Sequence, residues 1–134
     1  MRTSKTFQKL IEALCAKHGR DLTAQDVHLR LENGAYMPLV IEKHGLIVSV
    51  AHYHTSNGDT CPDPDVELFA GYPEWVPIAM SSDFGYTRAV ILTKDGKHIA
   101  RFWRKQQADL ASFCCQWGRN LCDQGWLGNG VVHA

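Results

Sequence analysis

Hydrophobic positions change period twice along this chain. Phe7, Leu10, Ile11 and Leu14, with Cys15 beside them, fall on one helical stripe, while Lys5, Lys9 and Glu12 fall off it. Thr3 or Ser4 stands where an N-cap belongs. Gly19 stands where the helix should stop, because glycine takes a left-handed backbone without steric cost. The pattern predicts a helix within residues 1–20.

The period then drops to two. "VHLRLE" alternates Val27, Leu29 and Leu31 with His28, Arg30 and Glu32. Short runs of strand character follow: "PLVIEKH", "LIVSVAHYH", "DVELFA", "EWVPIAM", "YTRAVILT" and "HIARFW". Pro77 marks an edge or a bend in its run. "KDGK" predicts a tight hairpin, since Asp-Gly tolerates the positive φ such turns need. Residues 26–103 therefore predict about six or seven short strands, joined by short loops and so mostly antiparallel.

A helical period returns over residues 104–125. Leu110, Phe113, Cys114, Trp117 and Leu121 make its apolar stripe, with the small residues Ala111, Cys115, Gly118 and Cys122 alongside. Asp109, Ser112, Gln116, Arg119 and Asp123 fall on the wet side. Gly125 ends the helix, and Trp126 can fold back on its last turn. The tail, residues 128–134, reads as loose. Helix, strands and helix predict an α+β fold: an antiparallel sheet with both helices packed on one face and the other face partly wet. At 134 residues the length fits a single domain.

Composition changes this picture little, and charge narrows it. A chain 45% hydrophobic and 21% charged is ordinary globular material, and its formal net charge is zero. Phosphate binding needs an excess of Lys and Arg, so nucleic acid ranks below a protein partner. A basic, aromatic stretch remains at Arg101, Phe102, Trp103, Arg104 and Lys105. No run approaches the ~20 apolar residues that span a bilayer. Glu12, Lys17 and His18 interrupt any signal-peptide core, so a cytoplasmic protein without a membrane role is expected. The five cysteines are odd in number and form no CxxC pair, which fits reduced, packed thiols.

The chemistry is concentrated in residues 52–68, "HYHTSNGDTCPDPDVEL". Strand parity puts His52 and His54 on the face of Leu46, Val48 and Val50. Asp65 and Glu67 lie opposite the face of Val66, Leu68 and Ala70. Because paired residues share a face, the histidines cannot join Asp65 and Glu67 without a bulge. A metal alternative is His52 and His54 with the loop carboxylates Asp59 or Asp63, an HxH pair needing at least a third ligand. The structural reading is a hairpin whose tip is "NGD", with aspartates bonded to backbone amides. Cys61 sits among carboxylates that would raise its pKa and blunt it as a nucleophile. No GxSxG, P-loop or GxGxxG is present. Trp75 and Trp103 are the tryptophans expected to be partly exposed, and exposed aromatics anchor partners.

"YMPLVIE", "VAHYHTSNGDTCPDPDVEL", "WVPIAMSSD" and "WGRNLCDQGWL" together resemble a small bacterial family known only as a domain of unknown function, borne on plasmids and integrative conjugative elements. The resemblance rests on His52-Tyr53, Asn57-Gly58-Asp59, Asp63-Pro64-Asp65, Asn120-Leu121 and Gln124-Gly125-Trp126. It implies no activity. It implies a setting, the accessory cargo of a mobile element, where small non-catalytic proteins bind host or element proteins and modulate defence systems. His54 departs from the family's aromatic or polar residue there.

The expectation is a binding protein without cofactor, engaging a protein partner or its own copy through Asn57, Gly58, Asp59, Asp63, Asp65, Glu67 and Trp75. A metal-dependent hydrolase built on His52 and His54 is the alternative. A nucleic-acid binder through Arg101–Lys105 is the third reading.

Overall fold

The computed structural model describes residues 1–133, with the backbone alone described at Ser56. Ala134, the last residue of the expected tail, lies outside the described residues. Helix α1 (Lys5–Lys17) starts at Ser4, whose hydroxyl accepts the Phe7 N–H at 3.2 Å. It ends at Gly19, whose φ of +74° lets Arg20 N–H return to the Cys15 carbonyl at 2.7 Å. Strands β1 (Asp26–Glu32), β2 (Leu39–His44), β3 (Ile47–Ser56), β4 (Asp59–Phe69), β5 (Val76–Ser82) and β6 (Gly85–Arg88) follow as an antiparallel meander. Next come β7 (Val90–Leu92), β8 (Ile99–Phe102), helix α2 (Arg104–Asp123) and β9 (Val132–His133).

The fold is α+β. Seven strands form one sheet in the order β6-β5-β4-β3-β2-β1-β9, and β7 pairs with β8 in a second small sheet. The run "YTRAVILT" is therefore not one strand. It breaks at Ala89, which is buried, donates to the Ile78 carbonyl at 2.8 Å and accepts from Trp103 N–H at 3.0 Å. The tail differs too. Val132 and His133 pair with Glu32 and Leu31, and Val131 is buried, so the described part of the tail is docked.

Alternation along β1 to β4 places Leu29, Leu31, Leu39, Ile41, Val48, Val50, Val66 and Leu68 in one buried core with both helices. From α1 it includes Phe7, Leu10, Ile11 and Leu14, and from α2 Leu110, Cys114, Trp117 and Leu121. The stripe of small residues has a use at Gly118, where a Cβ would come within 3.3 Å of the Phe7 Cα. Trp126 folds back under α2 with none of its surface exposed, its N–H reaching the Leu121 carbonyl at 3.3 Å. Gln107 is buried although polar. Its amide donates to the Arg2 and Pro77 carbonyls at 2.7 and 3.3 Å and accepts from Arg2 N–H at 2.8 Å, so no donor or acceptor is stranded.

Candidate functional site

The stretch expected to be a loop is almost entirely strand. Only Asn57 and Gly58, with φ of 52° and 85°, turn the chain, and β4 begins at Asp59 opposite Ser56. The β3–β4 pair thus extends as an arm. Its register slips once: Ala51 faces Asp65 and Tyr53 faces Pro62, so His52 stands opposite the bulged residues Asp63 and Pro64. The bulge takes Pro64 out of the ladder, and β5 joins β4 only from Asp65 onward, so Pro62 and Pro64 lie where β4 has a partner on one side alone.

The two histidines part company at this point. His52 is buried beneath α2, its ring 5.5 Å from Trp117 and 5.8 Å from Trp126. Its Nδ1 lies 3.2 Å from the Pro38 carbonyl, which selects the Nδ1–H tautomer. Burial holds its pKa below the usual histidine value, against the opposing pull of the Pro38 and Met37 backbone contacts. His54 lies on the arm, with Nε2 3.1 Å from Asp83 in the turn between β5 and β6. Ligand atoms of His54, Asp63 and Asp83 all lie within 4.8 Å of one another. Asp63 and Asp83 share a hydrogen bond. Burial first, then that neighbouring carboxyl, pushes Asp63 up, while bonds from His54 and Asp63 hold Asp83 down. One imidazole and two carboxylates on three chain segments are donors that suit a borderline or hard divalent cation, with positions left for water.

This triad is not the set expected from spacing. His52 belongs to the core, and Asp59 is exposed at the hairpin end, outside the group. Asp83 was missed, because nothing local ties it to residues 52–68. The only sequence signal was its place in the turn-like "SSDFG".

The expected binding residues also scatter. Asp65 and Glu67 are on an interior strand flanked by β3 and β5, so they form no acidic edge. Asp65 is partly buried on the face away from the helices and accepts the Ser49 hydroxyl at 2.7 Å. Burial pushes its carboxyl up, the Ser49 bond opposes this, and Glu42 adds to it. Trp75 is core rather than anchor: it is 7% exposed, and its N–H donates to the Gln8 side chain at 2.8 Å.

Exposed aromatics occur on β6 and its turn and at the β8–α2 junction, besides Tyr36 and Tyr72 elsewhere. Phe84 at the β5–β6 turn is 100% exposed, and Tyr86 on β6 is 54% exposed. Phe102 and Trp103, where β8 meets α2, are also exposed. The Arg88 guanidinium lies 5.9 Å from the Tyr86 ring centre, and that of Arg101 5.1 Å from the Trp103 ring centre. Among the described residues no carboxylate pairs with Arg88, Arg101 or Arg104, whereas Lys105 pairs with Asp109 at 3.0 Å. The sequence offered "RFWRK" but not its junction with β6, which depends on Ala89 linking the two sheets. Phe84 was legible in principle, since an aromatic ring in the two-residue turn Asp83-Phe84 has no core to enter.

Residues 5–127 match a family described as a domain of unknown function (DUF6908). No curated protein and no solved structure matches the chain.

Proposed function

We propose that this chain, which belongs to the domain of unknown function (DUF6908) family, acts without catalysis by binding a protein partner at the β6 end of its sheet. One observation carries the reading: exposed aromatic rings lie beside arginines with no carboxylate partner among the described residues, Tyr86 with Arg88 on β6 and Trp103 with Arg101 at the β8–α2 junction, which the Trp103 N–H bond to the Ala89 carbonyl ties to the end of β6. Aromatic and arginine side chains supply most of the binding energy at protein interfaces. The resemblance to families borne on mobile elements supports an accessory role, modulating a host or defence component. A nucleic-acid partner is disfavoured by the balanced charge of the whole chain. Asp63, beside Asp83, buttresses the β5–β6 turn next to this contact. Asp65 and Glu67 face the open side of the sheet.

The test is site-specific crosslinking. A photoreactive residue at Tyr86 or Trp103 is expected to trap a discrete protein in the source cell. The same residue at exposed Asp26, near the opposite edge, is expected to trap none. Equal capture at all three positions would defeat the reading.

The triad on the arm favours a second reading, a metal-dependent hydrolase using His54, Asp63 and Asp83. Under the binding reading, protein purified without chelator carries well under one equivalent of zinc, iron or manganese. A full equivalent, lost in Asp83→Asn and kept in His52→Gln, would install the hydrolase instead.

A further inference from the structure

Strand β6 ends the seven-stranded sheet, so its outer side has no ladder partner among the described residues. Beside it, between β6 and α2, runs a groove of about 250 Å³ lined by Met80, Thr87, Gln106, Leu110 and Phe113, with Asp109 on its wall. Thr87 pairs with Met80 and shares its face toward α2. Tyr86 and Arg88 therefore point to the opposite face. A strand laid along β6 would send one side chain into the groove opposite Thr87 and the next past Arg88.

Charge says what that strand carries. The Arg88 side chain bonds to the Val90 carbonyl at 3.1 Å, and no carboxylate neutralises it, Arg101 or Arg104 among the described residues. Asp109, the acid on the groove wall, is taken by Lys105. A second copy of the chain would present the same arginines to these, and like charges across an interface are repulsive. We infer that the occupant of this edge is an extended acidic segment of a partner protein, added as a further strand on β6. It would place an apolar side chain in the groove and a carboxylate on Arg88. Main-chain hydrogen bonds supply affinity in this mode, and the alternate side chains supply specificity. The inference rests on the protein-binding reading and gives it a mode and a chemistry.

The probe is a display library of random linear peptides of about ten residues, panned against the intact chain. Enriched sequences are expected to place an acidic residue next to an apolar one. Binding of one such synthetic peptide is expected to fall by at least about tenfold in Arg88→Glu and in Thr87→Trp, which fills the groove. Both variants should keep the thermal unfolding of the parent. N-methylation of alternate peptide amides should abolish binding in one register and spare it in the other, as strand pairing requires. Tolerance of methylation in both registers would overturn the inference. So would a dimer in sedimentation that Thr87→Trp breaks, which would assign the edge to a second copy. If no peptide enriches while Tyr86 and Trp103 still crosslink a protein, strand addition is wrong and the protein-binding reading stands. If both experiments fail, both readings fall.

Discussion

His52 and His54 lie two positions apart on one strand and live in different proteins, physically speaking. Around His52 the sheet is roofed by α2, with Trp117 and Trp126 against the ring and water excluded. Around His54 the arm has only the β5–β6 turn for company, and its neighbours are Asp63 and Asp83. The first region spends polar side chains sparingly and satisfies each locally. The second keeps titratable groups together where solvent reaches them. Stability resides under the roof, and adaptable chemistry resides where the roof stops.

The contrast is broken most directly by opening the roof. Trp117 stacks on Phe7 at 5.5 Å and lies over His52, and it is 7% exposed. Trp117→Ala is expected to cost about 3–5 kcal/mol in urea unfolding, the range for emptying a buried aromatic site. A loss below about 1 kcal/mol would mean that α2 is not the roof it is taken for.

On the arm the expected losses are smaller. Gly58 has a φ of +85° and open space where a Cβ would go, so only the backbone resists a side chain there. Gly58→Val should lower stability by about 1–2 kcal/mol, the cost of a left-handed backbone for an L-residue. An unchanged melting temperature would show that the turn relaxes into another type.

pH tests the buried histidine. Because the folded state holds His52 below the ordinary histidine value of 6.5, the unfolded chain takes up the proton first as pH falls. The stability associated with neutral His52 is present above about pH 6.5 and is lost as pH drops through that value toward the lower folded one. His52→Gln should flatten the dependence of unfolding free energy on pH in that window. An unaltered slope in His52→Gln would place the buried titration elsewhere, at His18 for example, whose pKa is also lowered by burial.

The smallest effect is expected at Asp65. Burial opposes its charge, and an asparagine oxygen can still accept from Ser49. Asp65→Asn should change stability by less than about 1 kcal/mol. A larger loss would show that the carboxylate, rather than the hydrogen bond, holds the open face together.

The elements built on strong periodicity were readable. Ser4 bounds α1 through its hydroxyl and Gly19 through its left-handed backbone, and the α2 stripe from Leu110 to Leu121 meets the sheet. Reading failed where a residue's fate depended on a distant partner. Asp59 to Asp65 look like loop because Asp and Pro are poor strand formers. Pairing with β3 on one side, joined by β5 at Asp65, overrides that preference. Trp75 looked like a surface anchor, yet the Gln8 side chain from α1 pins its backbone and the core takes its ring. Asp83 joins His54 through a contact between two hairpins, which no local pattern encodes.

The two ends of the large sheet are finished differently. At the β1 end, β9 covers Leu31 and Glu32, and Arg20 Nε fills the His28 carbonyl at 2.9 Å. At the β6 end nothing plays that part among the described residues. In polymer language the chain is a monofunctional unit. A sheet open at both edges can grow by repeated addition into a filament, whereas a molecule stoppered at one edge terminates growth at the first addition. High local concentration of a partner strand would therefore yield one-to-one complexes rather than fibres.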